Sequence, residues 1–261
     1  MIRRYPLPES VHCPLWLYNH DSELKAHPGY RDAKAGNIDA AVRLISDLPN
    51  SFFERIIGEL PHNSVLVAPH ARELGGDNAL PQVFATACAV LTEGTVETDL
   101  VQVSRVFHTG ADPMERLALR PRFEGIVTKG QDYVLVDDVA NMGGTLAELA
   151  NYLQNEGGRV VAAVLLVNAG RVKYFHPPRR RLAQIEERYG DEITRIFGIE
   201  PRALTANEAE YLIGFRSVDE IRNRLVKARK EIDNRLRSKG IFAEVGSAEV
   251  GSGLAMQQGR R

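Results

Sequence analysis

The sequence predicts an α/β fold: a parallel twisted sheet flanked by helices, with helical additions at both ends. Three observations carry this prediction. Ser64-Val-Leu-Val-Ala68, Tyr133-Val-Leu-Val-Asp137 and Arg159–Val167 are short apolar runs of the kind that form strands covered on both faces. The second and third flank a helical stretch, Thr145 to Asn155, of about three turns, which makes a βαβ unit. The composition, 44% hydrophobic and 26% charged over 261 residues, is that of a globular chain able to bury a core.

The elements follow in order. Residues 1–62 form a mixed N-terminal segment. Ala41, Leu44, Ile45 and Leu48, then Phe52, Phe53, Ile56 and Ile57, fall at helical spacing. Pro49-Asn50-Ser51 interrupts them and offers a fresh N-cap, so two helices are expected. Tyr30 to Asn37 is polar and expected to be exposed. Residues 63–170 alternate strand and helix. Asn78 to Leu91 reads as a helix with Pro81 in its first turn, where proline is tolerated. Leu100 to Phe107 alternates apolar and polar residues, as a half-buried strand does. Residues 171–242 form a helical extension: a basic run from Arg171 to Arg181, capping-box patterns at Thr205–Glu208 and Ser217–Glu220, and a charged amphipathic helix from Val218 to Arg237. Residues 243–261 are small and polar, and disorder is expected there.

Composition removes several classes of function. Lys and Arg number 33 against 34 Asp and Glu, so binding to nucleic acid through bulk charge is not expected. Cys13 and Cys88 stand far apart, which excludes a disulfide framework and a cysteine-rich zinc site. No HExxH motif occurs, and no apolar stretch approaches the roughly 18 residues needed to span a bilayer. Met1-Ile-Arg-Arg-Tyr-Pro lacks the apolar centre of a signal peptide. A soluble cytoplasmic location with no membrane contact is the expectation.

Most of the chemistry lies in Val134-Leu-Val-Asp-Asp-Val-Ala-Asn-Met-Gly-Gly-Thr145. The apolar residues bury a strand, and Asp137 and Asp138 come at its C-terminal end, where open α/β sheets bind ligands. Val139 to Gly144 is expected to form a turn whose glycines admit a close ligand. Thr145 then opens a helix, where free N–H groups and the positive dipole end favour a phosphate. Carboxylates only accept hydrogen bonds, so the acids suit sugar hydroxyls or Mg²⁺. A sugar phosphate satisfies both halves of the motif. An acidic pair at a strand end also occurs in receiver domains and nucleotide hydrolases, or merely caps a helix. The receiver reading lacks a well-placed acid on a second strand, and the hydrolase reading lacks GxxxxGK[ST].

The segment resembles the phosphoribosyl-diphosphate (PRPP) signature of the type I phosphoribosyltransferases, in which two acids at a strand end precede a Thr-Gly-x-Thr loop. The resemblance implies a type I phosphoribosyltransferase-like sheet. Asp137 and Asp138 would hold the ribose hydroxyls and Mg²⁺. Val139, Ala140, Asn141, Met142, Gly143, Gly144 and Thr145 would cradle the 5-phosphate. Two positions depart from the pattern. Met142 replaces a hydroxyl residue, and Asn141 stands where 6-oxopurine enzymes carry an acid, so no general base is available there.

The resemblance also implies a pyrophosphate loop after the first core strand, here Pro69 to Gly76. Arg72 would be the pyrophosphate ligand, with His70 and Ala71 beside it, because the planar guanidinium fork matches phosphate oxygens. A flexible lid is implied between Ser104 and Gly125, with Arg105, His108 and Arg116 as candidates and Arg120 and Arg122 nearby. A solvated hairpin is the alternative for each of these. Arg72 joins Asp137 and Asp138 as the catalytic set. The implied reaction transfers the phosphoribosyl group from PRPP to a nitrogen acceptor with release of pyrophosphate, and the implied assembly is a homodimer. A second reading is a non-catalytic PRPP-binding regulator, with Arg179 to Arg181, Tyr174 and Phe175 as the less favoured nucleic-acid contacts. A third is a Mg²⁺-dependent phosphohydrolase using Asp137.

Overall fold

The computed structural model of the chain describes residues 2–69, 78–103 and 112–238. Five strands form one parallel sheet: β1 (Leu15–Tyr18), β2 (Val65–Val67), β3 (Thr95–Val96), β6 (Asp132–Ala140) and β7 (Arg159–Asn168), in the order β1-β7-β6-β2-β3. Two further strands, β4 (Val101–Gln102) and β5 (Phe123–Glu124), make a separate antiparallel pair.

The parallel sheet is buried on both faces, as its apolar runs require. Alternation along β6 sends Val134 and Val136 to one face and Tyr133 and Leu135 to the other. The first face packs against α3 (Ile38–Ser46), α4 (Asn50–Glu59) and α5 (Leu80–Leu91) through Leu44, Ile45, Phe52, Ile56, Phe84 and Cys88. The second packs against α7 (Gly144–Asn155) through Leu146, Leu149, Ala150 and Leu153. Each such fully buried leucine contributes about 1.5–3 kcal/mol relative to exposure.

The remaining helices are α1 (Asp21–Lys25), α2 (Tyr30–Lys34), α6 (Pro113–Ala118), α8 (Arg179–Tyr189), α9 (Glu192–Phe197), α10 (Ala206–Ile213) and α11 (Val218–Ser238). Helices α8 to α11 build a third cluster around Ile185, Ile193, Leu212, Ile221 and Leu225. Met114 and Leu117 of α6 are buried in that cluster too.

Several expectations change. The sheet reaches outside residues 63–170, because β1 from the N-terminal segment pairs with the edge of β7. The predicted strand at Leu100 to Phe107 is ordered as a strand only at Val101–Gln102; residues 104–107 lie outside the described residues. Tyr30 to Asn37 contains a helix, α2, with Ala33 buried. Pro49, not Asn50 or Ser51, occupies the N-cap of α4, with no side-chain cap bond. The capping box at Thr205–Glu208 forms in full. At Ser217 only half forms: the Glu220 N–H donates to Ser217 Oγ at 3.3 Å, while the Glu220 carboxylate accepts from the Arg216 N–H. The tail 243–261 lies outside the described residues. Among the described residues no helix is long and apolar enough to cross a membrane.

Candidate phosphosugar site at the carboxyl edge of the sheet

Strand order fixes where a ligand binds. From β2 the chain crosses through α5 to β3 on one side, whereas β6 and β7 extend the sheet on the other. The order therefore reverses between β2 and β6, and ligands of open α/β sheets bind outside the strand ends at such a point. Asp137 and Asp138 lie near the end of β6, beside this crevice.

The two acids have different surroundings. Asp138 is buried, and its Oδ2 accepts from Lys34 Nζ at 2.6 Å and from Asn78 Nδ2 at 3.0 Å. Burial alone would pull the Lys34 pKa down. The charge of Asp138 and the hydrogen bond between them outweigh burial and hold it above the ordinary lysine value. Asp137 is half-buried, and its Oδ1 accepts the backbone N–H of Asp138 at 2.8 Å. Its pKa is well above the usual carboxylate range, first through burial and second through the charge of Asp138. The Lys34 charge works against this rise and does not cancel it. Two hard oxygen donors that repel each other suit a divalent cation such as Mg²⁺ or a pair of hydroxyl donors, either of which relieves the repulsion.

Val139 and Ala140 remain in β6, paired with Val167 and Asn168, so the turn is shorter than the expected Val139–Gly144. It comprises Asn141, Met142 and Gly143. Gly143 is the N-cap of α7 at φ 74°, a left-handed conformation that costs an L side chain about 1–2 kcal/mol. Gly144 and Thr145 are the first two residues of α7, and Thr145 is partly exposed. A 12-residue helix thus starts beside the acidic pair with its first N–H groups free of intrahelical partners.

The turn is held from behind by distant parts of the chain. Thr205 Oγ1 donates to the Met142 carbonyl at 2.5 Å. The Phe175 ring lies 3.2 Å from where a Cβ on Gly143 would stand, and Glu208 Oε1 lies 2.8 Å from the equivalent point on Gly144. Arg3 is fully buried and donates to Glu208 Oε2 at 2.5 Å and to the Gly144 carbonyl at 3.4 Å. Glu148 of α7 lies 3.5 Å from Arg3 Nε and accepts from Arg120 Nη1 at 2.9 Å. Burial raises the Glu148 pKa, and the two arginines act against that rise. Met142 turns toward the C-terminal cluster and packs against it.

The sequence-predicted residues divide into three groups. Asp137, Asp138 and Asn141 to Thr145 come together at the β6–α7 junction. Arg116 sits on α6, whose apolar side is packed in the C-terminal cluster, and Arg120 is engaged with Glu148 and the Gly198 carbonyl. His70, Ala71, Arg72, Arg105 and His108 lie outside the described residues. In the basic run, Phe175 is buried, which removes it as a base-stacking surface. Lys173 Nζ donates to the Asn168 and Asn19 carbonyls, and Arg181 pairs with Glu210 at 2.6 Å.

Lys34 and Asn78 escaped the sequence reading as site residues. Nothing in a polar stretch more than a hundred positions upstream marks Lys34 as the partner of Asp138. Asn78 was visible only as a helix start.

Known proteins bear on this arrangement. Residues 65–179 match the family model of the phosphoribosyl transferase domain. Protein TraN of Escherichia coli is 39% identical over 222 residues, which is 82% of this chain and 49% of that protein. An adenine phosphoribosyltransferase from Clostridium acetobutylicum is 31% identical over 104 residues, 40% of this chain and 57% of that protein. The chain thus spans about half the length of these relatives. The solved structure of adenine phosphoribosyltransferase from Leishmania donovani aligns with 59% of this chain and 84% of its own, at 15% identity and a TM-score of 0.34. The matched segment 65–179 contains β2, β6, α7 and β7, and with them the acidic pair and the turn that follows it. The likeness to the phosphoribosyl transferase domain thus falls on the part of the chain that carries the candidate site.

Proposed function

We propose that the β6–α7 junction binds PRPP with Mg²⁺ and that the chain transfers its 5-phosphoribosyl group to a nitrogen nucleophile, a nucleobase or related compound, releasing pyrophosphate. The observation that carries this reading is the adjacency of Asp137 and Asp138 to a glycine turn that opens α7 at the order reversal of the sheet. In this reading the carboxylates take the ribose hydroxyls and share in holding Mg²⁺. The backbone N–H groups of Asn141 to Gly144 and the Thr145 hydroxyl take the 5-phosphate. Mg²⁺ supplies charge neutralisation for the departing pyrophosphate. Lys34 orients Asp138 Oδ2 as an acceptor. Arg72, with His70 and Ala71, is proposed to hold pyrophosphate. No residue of the described turn serves as a general base, so positioning and charge stabilisation do most of the work.

Calorimetric titration of Mg²⁺-PRPP tests the donor site, with the Asp137→Asn/Asp138→Asn double variant alongside. Saturable binding lost in the double variant supports it, and no binding to folded wild-type protein overturns it. Pyrophosphate release with a panel of nucleobases then tests transfer, and light scattering on the same sample reads whether the chain is a homodimer. One observation favours the second reading, a PRPP-binding regulator. Met142 replaces a hydroxyl and packs into the helical cluster, while its carbonyl is held by Thr205, so the turn is tied directly to the C-terminal helices. PRPP binding with no turnover on any acceptor would be its signature.

A further inference from the structure

Outside the carboxyl edge of the sheet, a second cluster brings ligating side chains together. Glu9 and His12 lie in and just after a short 3-10 turn, Glu9–Val11. His176 arrives from the segment after β7. One nitrogen of each ring and a carboxylate oxygen of Glu9 all lie within 4.8 Å of one another. The two Nδ1 atoms are 2.8 Å apart, although the residues stand 164 positions apart in sequence.

The far side of His176 is what points to an ion. Its Nε2 lies 2.5 Å from the Leu7 carbonyl oxygen, which can only accept. Nε2 therefore carries the proton, and in the neutral ring Nδ1 presents a lone pair toward His12 Nδ1. A backbone carbonyl holding the far N–H is the arrangement that fixes the tautomer and direction of a metal-bound imidazole. The Glu9 carboxylate adds a hard negative donor at the solvent side. We infer that Glu9, His12 and His176 form a binding site for a borderline divalent ion, with Zn²⁺ the best match to two imidazoles and one carboxylate.

With Zn–N bonds of 2.0–2.1 Å and tetrahedral angles, bound nitrogens sit about 3.3 Å apart, so the rings separate by a few tenths of an ångström on loading. Three protein ligands leave the fourth position to water. The site joins the N-terminal segment to the strand-exit segment. The Phe175 N–H donates to the His12 carbonyl at 2.9 Å, and the Phe175 ring lies against Gly143. An ion here clamps the residue that backs the turn before α7. The alternative is a plain hydrogen-bonded histidine pair, with His12 Nδ1–H donating and no ion involved.

The test uses the full chain stripped with a chelator and titrated with ZnCl2 against a chromophoric competitor. The expected result is one Zn²⁺ per chain with a dissociation constant at or below about 1 µM. Binding weakens at least 100-fold in His12→Ala and in His176→Ala, and about 10-fold in Glu9→Gln. The Asp137→Asn/Asp138→Asn variant keeps it, which separates this site from the sheet edge. Because the alanine variants remove packing, wild-type protein is also followed by NMR, where Zn²⁺ should shift the ring protons of two of the seven histidines. Substoichiometric binding, wild-type affinity retained in either histidine variant, or no shifted pair of histidines overturns the assignment and leaves the hydrogen-bonded pair.

Discussion

Replacing Arg3 with Met tests what holds the turn before α7. The Arg3 guanidinium is fully enclosed and reaches Glu208 Oε2 at 2.5 Å, the Gly144 carbonyl at 3.4 Å and Glu148 Oε1 at 3.5 Å. Methionine keeps much of the stem and removes the charge. Glu148 retains Arg120 at 2.9 Å, so the orphaned group is Glu208. Its Oε2 keeps only the Thr205 N–H at 2.9 Å. Breaking a buried pair from one side costs about 3–5 kcal/mol, and the surviving hydrogen bond places the loss at the lower end, about 3 kcal/mol. For a chain of this size that lowers Tm by roughly 6–12 °C. Urea unfolding followed by circular dichroism measures it. The double variant Arg3→Met/Glu208→Leu removes both charges and should recover about 1 kcal/mol or more, because an apolar pair replaces the ion pair with little loss while the Thr205 N–H gives up its carboxylate acceptor. A single-variant loss below about 1 kcal/mol, or a double variant no more stable than the single, refutes the argument that the pair, and not the stem packing, secures the turn.

Three more expectations concern the acids and the turn. Asp137→Asn should stabilise the protein by about 1–3 kcal/mol at pH 7.5, the scale of a poorly satisfied buried group. The raised folded pKa makes the ionisation penalty absent below the ordinary aspartate value of 3.8, growing as pH rises toward the folded value, and full only above it. The advantage over wild type should therefore shrink as urea midpoints are measured at falling pH. Lys34→Met leaves Asp138 with Asn78 alone. With the lysine side chain 30% exposed, the loss is about 1–2 kcal/mol by denaturant unfolding, and Mg²⁺-PRPP affinity falls with it. Gly143→Ala should cost more than Gly130→Ala in thermal melts. Both have φ 74°, but a Cβ at Gly130 meets nothing within 4 Å, whereas at Gly143 it meets Phe175 at 3.2 Å. The Gly130 change isolates the backbone cost of about 1–2 kcal/mol, and any excess is the displaced ring.

The centre of the fold was legible because its signals are local. Val65–Val67, β6 and β7 are apolar runs long enough to identify, and the two glycines before Thr145 mark the start of α7. The periphery was not. Leu15–Tyr18 offers four residues and Thr95–Val96 two, too few to separate from loop until a neighbouring strand supplies hydrogen bonds. The turn after β6 starts two residues later than its local sequence suggests, because nothing local says that Val139 and Ala140 keep pairing with Val167 and Asn168. The acidic pair at the end of β6 was readable as a pair at a strand end. Its asymmetry was not, since Lys34 and Asn78 reach Asp138 across 104 and 60 positions. The capping box at Thr205 was likewise visible, but its hydroxyl serves a second master, the Met142 carbonyl.

That long reach has a consequence for synthesis. Glu208, which closes against Arg3 and Gly144, follows Gly144 by 64 residues in the chain (208 − 144). At roughly 5–20 residues per second, a ribosome needs about 3–13 s to add them. During that interval the strand ends and the acidic pair can already form, while the turn between them lacks the Phe175, Thr205 and Glu208 that set it. A nascent chain arrested before Glu208 would hold its carboxylates beside an unlocked turn. The turn before α7 would therefore gain its backing stepwise, Phe175 first, then Thr205 and Glu208, well after β6 itself is made.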